Sequence, residues 1–404
     1  MLDLLKRIFP DAAITAPVRL RRQPRVTVTR QCLAPVIEAV TPGETVTLVV
    51  SDQTRKTGAD LVLTVLIDAW RAQGVTDDRL SFLIACGSHR SPDAAEIARI
   101  LGPGLAADFA NRIRCHNAFS SHCVRLGTTR RGTPVEVNRL ALEPAALIPI
   151  GGVTFHYFAG FTGGRKSVVP GLASAHTIAA NHSLSMDPAA GTFRAGVETG
   201  RLAGNPLAED LAEAAALVRV RASVQTVLDG EGRITGLFAG EMNSAHAAAC
   251  GAARDSYSFP LAETFDLVVA GAGPARNWVQ SHKALVNSRR AAGQEGLVIL
   301  EAPCPEGLGS ESLERWLDKG SPAAIMAGIA ESADINAQTA LSTLLRGRKT
   351  ILVTTLHPTV VAGMGMTRAE SLEEALRLAA VRLAGIPRQL RILPLPEAWL
   401  TVPV

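Results

Sequence analysis

A chain of 404 residues is too long for one ordinary hydrophobic core and predicts two domains. Hydrophobic residues make up 47% and charged ones 19%, a globular balance that excludes long disordered tails. A net charge of +4 with only 4% aromatic residues gives no basic, aromatic surface, so no nucleic-acid partner is expected. The N-terminal MLDLLKRIFPDAA has no apolar run long enough for a signal peptide, and no window reaches the length of a membrane span. Six scattered cysteines suit a reducing cytoplasm rather than a disulfide framework.

The densest basic cluster, Arg19, Arg21, Arg22 and Arg25, reads as a solvated entry to the first strand. That strand is Thr45–Ser51, a short β-branched apolar run of the kind buried on both faces of a sheet, and it ends in Ser51-Asp52-Gln53-Thr54-Arg55. A helix is predicted from Ala59 to Gln73, then a strand from Leu80 to Cys86 that stops at Gly87-Ser88-His89-Arg90. Ser91-Pro92 is expected to cap a helix through Ile100. Cys115-His116 and His122-Cys123 lack the spacing of a zinc finger and are read as structural side chains on a strand and its loop. A third strand near Ala146–Ile150 runs into Gly151-Gly152 and delivers His156. In an open parallel sheet ligands bind past the carboxyl ends of strands, so Asp52, Arg55, His89 and His156 are predicted to share one edge.

The next stretch, HYFAGFTGGRKSVVPGLASAHTIAANH, runs from His156 to His182. Its glycines let backbone amides approach and cradle an anion. A triphosphate loop is excluded, because the second glycine of that pattern, counted from Gly160, falls on Arg165. From Ser183 to Tyr257 the chain reads as alanine-rich and mostly helical, with a strand at Ser223–Leu228 and a surface or packing histidine at His246.

A second alternation begins at Phe265, with strands at Asp266–Ala270, Gly296–Glu301 and Lys349–Leu356. A helix carrying Gln280 and Lys283 is predicted between the first two, and others at Glu311–Asp318, Asn336–Arg346 and Ser371–Ala384. The Gly271-Ala272-Gly273 run lacks the third glycine and the distal acid of a dinucleotide fingerprint. The expected fold is therefore two α/β domains with mainly parallel sheets, the active site in the cleft between them. The predicted boundaries are residues 1–260 for a cofactor-binding domain and 264–404 for the second, whose last strand could return to the first.

The stretch from His156 to His182 resembles the signature of the lactate racemase family, whose members use a nickel-pincer nucleotide. There a histidine precedes a glycine-rich turn, a lysine ten residues on is tethered to the cofactor, and a histidine sixteen further on ligates nickel; His156, Lys166 and His182 stand at those spacings. SDQTR at 51–55 and GSHR at 87–90 match two further family motifs in the same order, and Gln280 and Lys283 match a Gln-x-x-Lys pair after a glycine-proline turn. Lys56-Thr57-Gly58 departs from a proline often found there, and Arg276 and Val279 replace a usual aspartate and tyrosine.

The resemblance implies a racemase or epimerase of a small 2-hydroxy acid, with cofactor-maturation proteins as partners. It implies a pyridinium-3-thioamide-5-thiocarboxylic acid mononucleotide nickel complex, covalently on Lys166, with His182 completing a roughly square-planar nickel site. His89 and His156 would be the alternating acid and base, Arg55, Gln280 and Lys283 the substrate-binding groups, and Asp52, Thr54, Gly163 and Gly164 contacts to the cofactor. His176 matches no role and is read as structural. Arg276 is expected to favour a second carboxylate or a polar sugar-acid tail.

Taken alone, two imidazoles, two cations and one carboxylate suit a hydroxy acid, because histidines near their ordinary pKa serve as acid and base and arginine holds a carboxylate bidentately. No side chain takes up and returns hydride, so breaking a carbinol C–H calls for a cofactor. Two other classes stay open: a nickel-free proton-transfer racemase or hydro-lyase with Lys166 as a free amine, and a catalytically silent nucleotide-binding protein. Both histidines and the lysine being present speaks against the silent one.

Overall fold

Val46–Ser51, the apolar run VTLVVS, forms a strand with parallel neighbours on both sides, Leu80–Ala85 and Ala146–Gly152. The structure, a computed structural model, describes residues 1–331 and 334–404. The spatial order of this sheet is Ile234–Gly240, Ser223–Leu228, Ala146–Gly152, Val46–Ser51, Leu80–Ala85 and Ile113–Cys115. All pairings are parallel except at the Ile234–Gly240 edge, which is antiparallel. Side chains alternate between faces: Leu48, Phe82 and Ile148 enter one core, while Val49, Leu83 and Leu147 enter another. The near-continuous apolar strands follow from that double burial.

The chain leaves Val46–Ser51 for the Leu80–Ala85 side and later returns on the Ala146–Gly152 side. The strand order thus reverses at Val46–Ser51, and the carboxyl ends of these strands form the crevice where open α/β sheets bind ligands.

Three local features differ from the sequence reading. The helix after Leu80–Ala85 is capped by Asp93, not by Ser91-Pro92: Asp93 accepts from the Glu96 amide at 2.8 Å, and Glu96 accepts from the Asp93 amide at 2.9 Å. That reciprocal box satisfies two donors, which one serine cannot do. The run after Ser185 is not helical until Pro206, because Gly191, Gly196, Gly200 and Gly204 all adopt positive φ. The Ile234–Gly240 strand, ITGLFAG, hides its pattern behind glycines.

By packing, the chain forms two units, one of residues 22–185 and 195–256, the other of residues 1–21, 186–194 and 257–404. The second holds a parallel sheet in the order Ala13–Ile14, Arg391–Leu395, Leu267–Gly271, Leu297–Glu301, Thr350–Val353 and Thr367–Ala369. Alternation again buries both faces, Val268 and Val298 on one side, Val269 and Ile299 on the other. The glycines of Gly271-Ala272-Gly273 are packing residues: a Cβ on Gly271 would meet the Pro396 carbonyl at 2.4 Å, and one on Gly273 the Trp399 ring at 2.3 Å.

Asp266 ties the C-terminal strand into this sheet. Its Oδ2 accepts from the Arg391 amide at 2.8 Å and from Arg388 at 2.8 Å. Burial opposes the charge, but the hydrogen bonds from Arg388 and Arg391 prevail and hold the carboxyl below its usual 3.8. A depressed folded pKa stabilises above the unfolded pKa and loses that stabilisation as pH falls through the folded value. Asp266→Asn is expected to cost about 1–3 kcal/mol at pH 7 in urea unfolding, with the gap from wild type closing below about pH 4.

Candidate functional site

Immediately past Val46–Ser51, the chain turns so that the Arg55 amide donates to the Asp52 carbonyl at 3.2 Å. Asp52 is 2% exposed, and both its oxygens are engaged. Oδ1 accepts from the Thr54 amide at 3.0 Å and the Thr54 hydroxyl at 2.5 Å, and Oδ2 accepts from His89 Nδ1 at 2.6 Å. Burial raises the Asp52 pKa, but the hydrogen bond and charge of His89, with Thr54 and Arg55 behind them, leave it below the usual carboxylate range. The parallel pairing of two adjacent strands has thus joined residues 37 apart in sequence. His89 is half-exposed, and its turn is anchored at both ends. The His89 amide donates to the Cys86 carbonyl at 2.9 Å, and Arg90 grips Glu96 bidentately at 2.7 and 2.6 Å. Thr54 and Arg55 are exposed on the opposite turn.

On the other side, Ala146–Gly152 leads into a short hairpin that pairs Phe155 with Phe161 and His156 with Gly160. His156 caps the hairpin's own turn: Nδ1 accepts from the amides of Phe158 at 3.2 Å and Ala159 at 3.1 Å. Its ring stacks on Tyr157, centroids 5.0 Å apart and planes 2° from parallel. Gly160 has φ +75°, and a Cβ there would meet the Arg201 carbonyl at 2.2 Å, so only glycine closes this turn.

Gly164 to Ser167 then form a buried 3₁₀ turn that contains Lys166, 9% exposed. The Gly164 amide donates to Gln225 Oε1 at 2.8 Å, so what that glycine offers a ligand is close approach rather than a free N–H. His182, 5% exposed, sits in the last turn of the Ala175–Ser183 helix. Its Nδ1 donates to the Ile178 carbonyl at 2.8 Å, which leaves the lone pair on Nε2. Burial, then the charge of Lys166, pushes its pKa down to about 4. Asn181 fixes the same helix by donating to Asp210 at 2.8 Å. His176 is exposed and contacts Glu136 at 3.3 Å, away from this constellation.

One residue of this region, Gln225, was not singled out from the sequence, and a second, His246, was read as a surface or packing histidine. Gln225 is fully buried in the middle of SVQTVL, and a lone amide in an apolar strand was the available signal. Of those two readings of His246 the structure shows packing: it is 6% exposed and donates Nε2–H to the Thr162 carbonyl at 2.9 Å. Burial and the nearby Arg165 push its pKa to about 4. Arg165 is itself buried, which lowers its pKa to about 10, and it reaches the Ala159 carbonyl at 3.2 Å. Nothing in the local pattern around His246 marks it; only the fold brings it beneath the glycine turn.

Gln280 and Lys283 stand on the Trp278–Ala292 helix of the other unit, capped by Asn277. Gln280 Oε1 accepts from the Arg276 amide at 3.0 Å, and Lys283 is exposed. Between them His282 is buried, and burial, then Arg346 and Lys283, lower its pKa to about 3. Arg276, where an additional cation was expected, is exposed, and its Nε donates to Glu306 at 2.5 Å. His116 is also structural, bonded to the Ala173 carbonyl at 2.9 Å and to Asn138 at 3.0 Å. Among the described residues, no group of three or more His, Cys, Asp or Glu side chains is arranged to hold a metal.

The family model described as the lactate racemase N-terminal domain matches residues 29–192, and that of the lactate racemase C-terminal domain matches residues 263–395. A lactate racemase of Thermoanaerobacterium thermosaccharolyticum is 30% identical over 83% of this chain and 79% of its own length. The chain belongs to the lactate racemase family. A second lactate racemase, of Lactiplantibacillus plantarum, is 29% identical over 83% of this chain and 80% of its own. In solved structures, the lactate racemase apoprotein of T. thermosaccharolyticum superposes with a TM-score of 0.81 at 25% identity, covering 100% of this chain and 92% of that one. A Thermotoga maritima protein shares the fold, with a TM-score of 0.69 at 17% identity over 95% of this chain and 100% of that one. Membership in the lactate racemase family places the chain among racemases, a class of isomerase.

A Cβ on Gly164, whose φ is +51°, would lie 2.5 Å from His246 Cγ. Gly164→Ala is expected to cost about 1–3 kcal/mol in urea unfolding. In the Gly164→Ala/His246→Ala double variant the ring contacts are removed and only the Cβ of residue 246, 2.9 Å away, still presses on the new methyl, so the cost should be smaller than the sum of the single costs. Strict additivity would show that the two residues do not press on each other.

Proposed function

We propose that the chain is a racemase or epimerase of a 2-hydroxy acid, with lactate the first substrate to test. We propose further that it uses a nickel-pincer nucleotide joined to Lys166. The observation that carries this reading is the buried pair of Lys166 and His182. A lysine 9% exposed is shielded from bulk water as a covalent tether should be. A histidine 5% exposed, its Nδ1 committed to a backbone carbonyl, offers nickel a neutral Nε2 of fixed direction. The donor set therefore fits the group: Lys166 would hold the nucleotide, and His182 would complete the metal's ligands. When bound, the cofactor supplies a pyridinium carbon that accepts and returns hydride, chemistry that side chains lack.

The remaining steps belong to side chains. Arg55, Gln280 and Lys283 keep the carboxylate-binding role that the family resemblance implies, and a guanidinium holds a carboxylate bidentately. His89 and His156 move the hydroxyl proton as acid and base. Thr54 and Gly163 are retained as cofactor contacts, whereas the engaged oxygens of Asp52 and the engaged amide of Gly164 suit positioning roles. The exposed ion pair of Arg276 with Glu306 offsets the charge that would draw a second substrate carboxylate, which is why a monocarboxylate is the first to test. Six free cysteines, one of them exposed, support a cytoplasmic setting, and among the described residues no helix is long and apolar enough to cross a membrane. Maturation proteins that build and load the nucleotide are the partners this reading requires.

Intact-protein and peptide mass spectrometry of protein from a cofactor-making host tests the proposal. Wild type should carry a nucleotide adduct on the Lys166 peptide together with stoichiometric nickel. Lys166→Ala should lose the adduct, and His182→Ala should keep it while losing most of the nickel. An unmodified Lys166 peptide in wild-type protein from such a host would overturn the assignment.

A further inference from the structure

Neutral imidazole carries one hydrogen on two nitrogens, so a fixed partner at one nitrogen dictates what the other can do. At His89 the fixed partner is a carboxylate. Asp52 Oδ2 lies 2.6 Å from Nδ1, and the same carboxylate already accepts from the Thr54 amide. An ionised carboxylate only accepts, so Nδ1 carries the hydrogen and Nε2 carries the lone pair. At His156 the fixed partners are two backbone amides, from Phe158 at 3.2 Å and Ala159 at 3.1 Å. Backbone N–H groups only donate, so here Nδ1 carries the lone pair and Nε2 the hydrogen.

We propose that the fold presets the two histidines in opposite tautomers, Asp52 making His89 the proton acceptor and the Phe158 and Ala159 amides making His156 the N–H donor. The inference rests on the racemase reading and removes the symmetry from its acid–base pair. When the substrate O–H bond breaks, its proton forms the Nε2–H bond of His89. That ring becomes an imidazolium whose Nδ1–H still faces the Asp52 carboxylate, the arrangement that stabilises such a cation. His156 cannot become an imidazolium in place, because a hydrogen on Nδ1 would point at two amide hydrogens. It instead offers Nε2–H to the reacting oxygen, as a preorganised donor to developing negative charge. For His156 to take the proton in its turn, Nε2 must lose its hydrogen and the turn at 157–159 must release Nδ1. The roles thus exchange only with movement of that hairpin. Asp52 is then a positioning residue acting through His89.

Long-range proton–nitrogen correlation spectra of ¹⁵N-histidine-labelled protein at neutral pH, recorded without cofactor or substrate, read both tautomers directly. His89→Gln and His156→Gln assign the signals. The expected spectrum has His89 protonated at Nδ1 and His156 protonated at Nε2. Asp52→Asn should shift His89 toward a mixture of tautomers and leave the His156 pattern unchanged. Identical tautomers at the two rings, or His156 protonated at Nδ1, would overturn the proposal. So would an Asp52→Asn protein whose His89 signals match wild type. If that variant does not fold, the wild-type spectrum alone decides. The spectra do not depend on turnover, so a protein with the expected tautomers that racemises no hydroxy acid would sink the activity and spare the tautomers.

Discussion

Parallel pairing of three adjacent strands is the constraint on which the site of the first unit depends. Because Ala146–Gly152, Val46–Ser51 and Leu80–Ala85 run the same way, their carboxyl ends lie along one edge. Residues far apart in sequence, Asp52, His89 and His156, leave the sheet at that edge. Each strand is buried on both faces, so a slip of register would move whole sets of side chains between cores. The edge is therefore held by hydrophobic packing well away from any reacting group. Local hydrogen bonds then set the last few ångströms: the Asp93–Glu96 box with Arg90 behind His89, and the self-capped hairpin around His156.

Along the glycine turn, Arg165 and Lys166 are both buried. Burial, and after it the charge of Lys166 at His182 and of Arg165 at His246, lowers the basicity of both imidazoles, so both stay neutral near physiological pH. A neutral, oriented imidazole is what a metal needs from histidine. Gln225 and His246 brace the turn from beneath, one by a hydrogen bond and the other by contact.

Much of this was legible in the sequence because it rests on short-range pattern. VTLVVS announces a strand buried on both faces, and strand–helix alternation announces parallel sheets. The rule for carboxyl edges then places His89 beside Asp52 before any coordinate is seen. What stayed hidden depends on partners distant in the chain. Gln225 and His246 look like an ordinary strand residue and an ordinary helix residue until the Gly164 turn is laid over them. Arg276 looks like an unbalanced cation until Glu306 is folded against it. The cap at Asp93 was masked by a serine-proline pair that satisfies the same local rule, and the Ile234–Gly240 strand by glycines that weaken its alternation. The tautomers of His89 and His156 are invisible in sequence, because they are set by single hydrogen bonds.

The proposed cofactor chemistry requires the Cα hydrogen of the substrate to move as hydride and never become exchangeable. Racemisation of lactate in D₂O by the cofactor-loaded protein, with the product examined for deuterium at Cα, tests this most directly. Hydride transfer leaves little or no solvent deuterium at Cα and gives a primary isotope effect when Cα-deuterated substrate is used. A hydrogen passed through histidine would instead exchange with water. Substantial deuterium at Cα would contradict the hydride route and assign the reaction to direct proton abstraction without nickel.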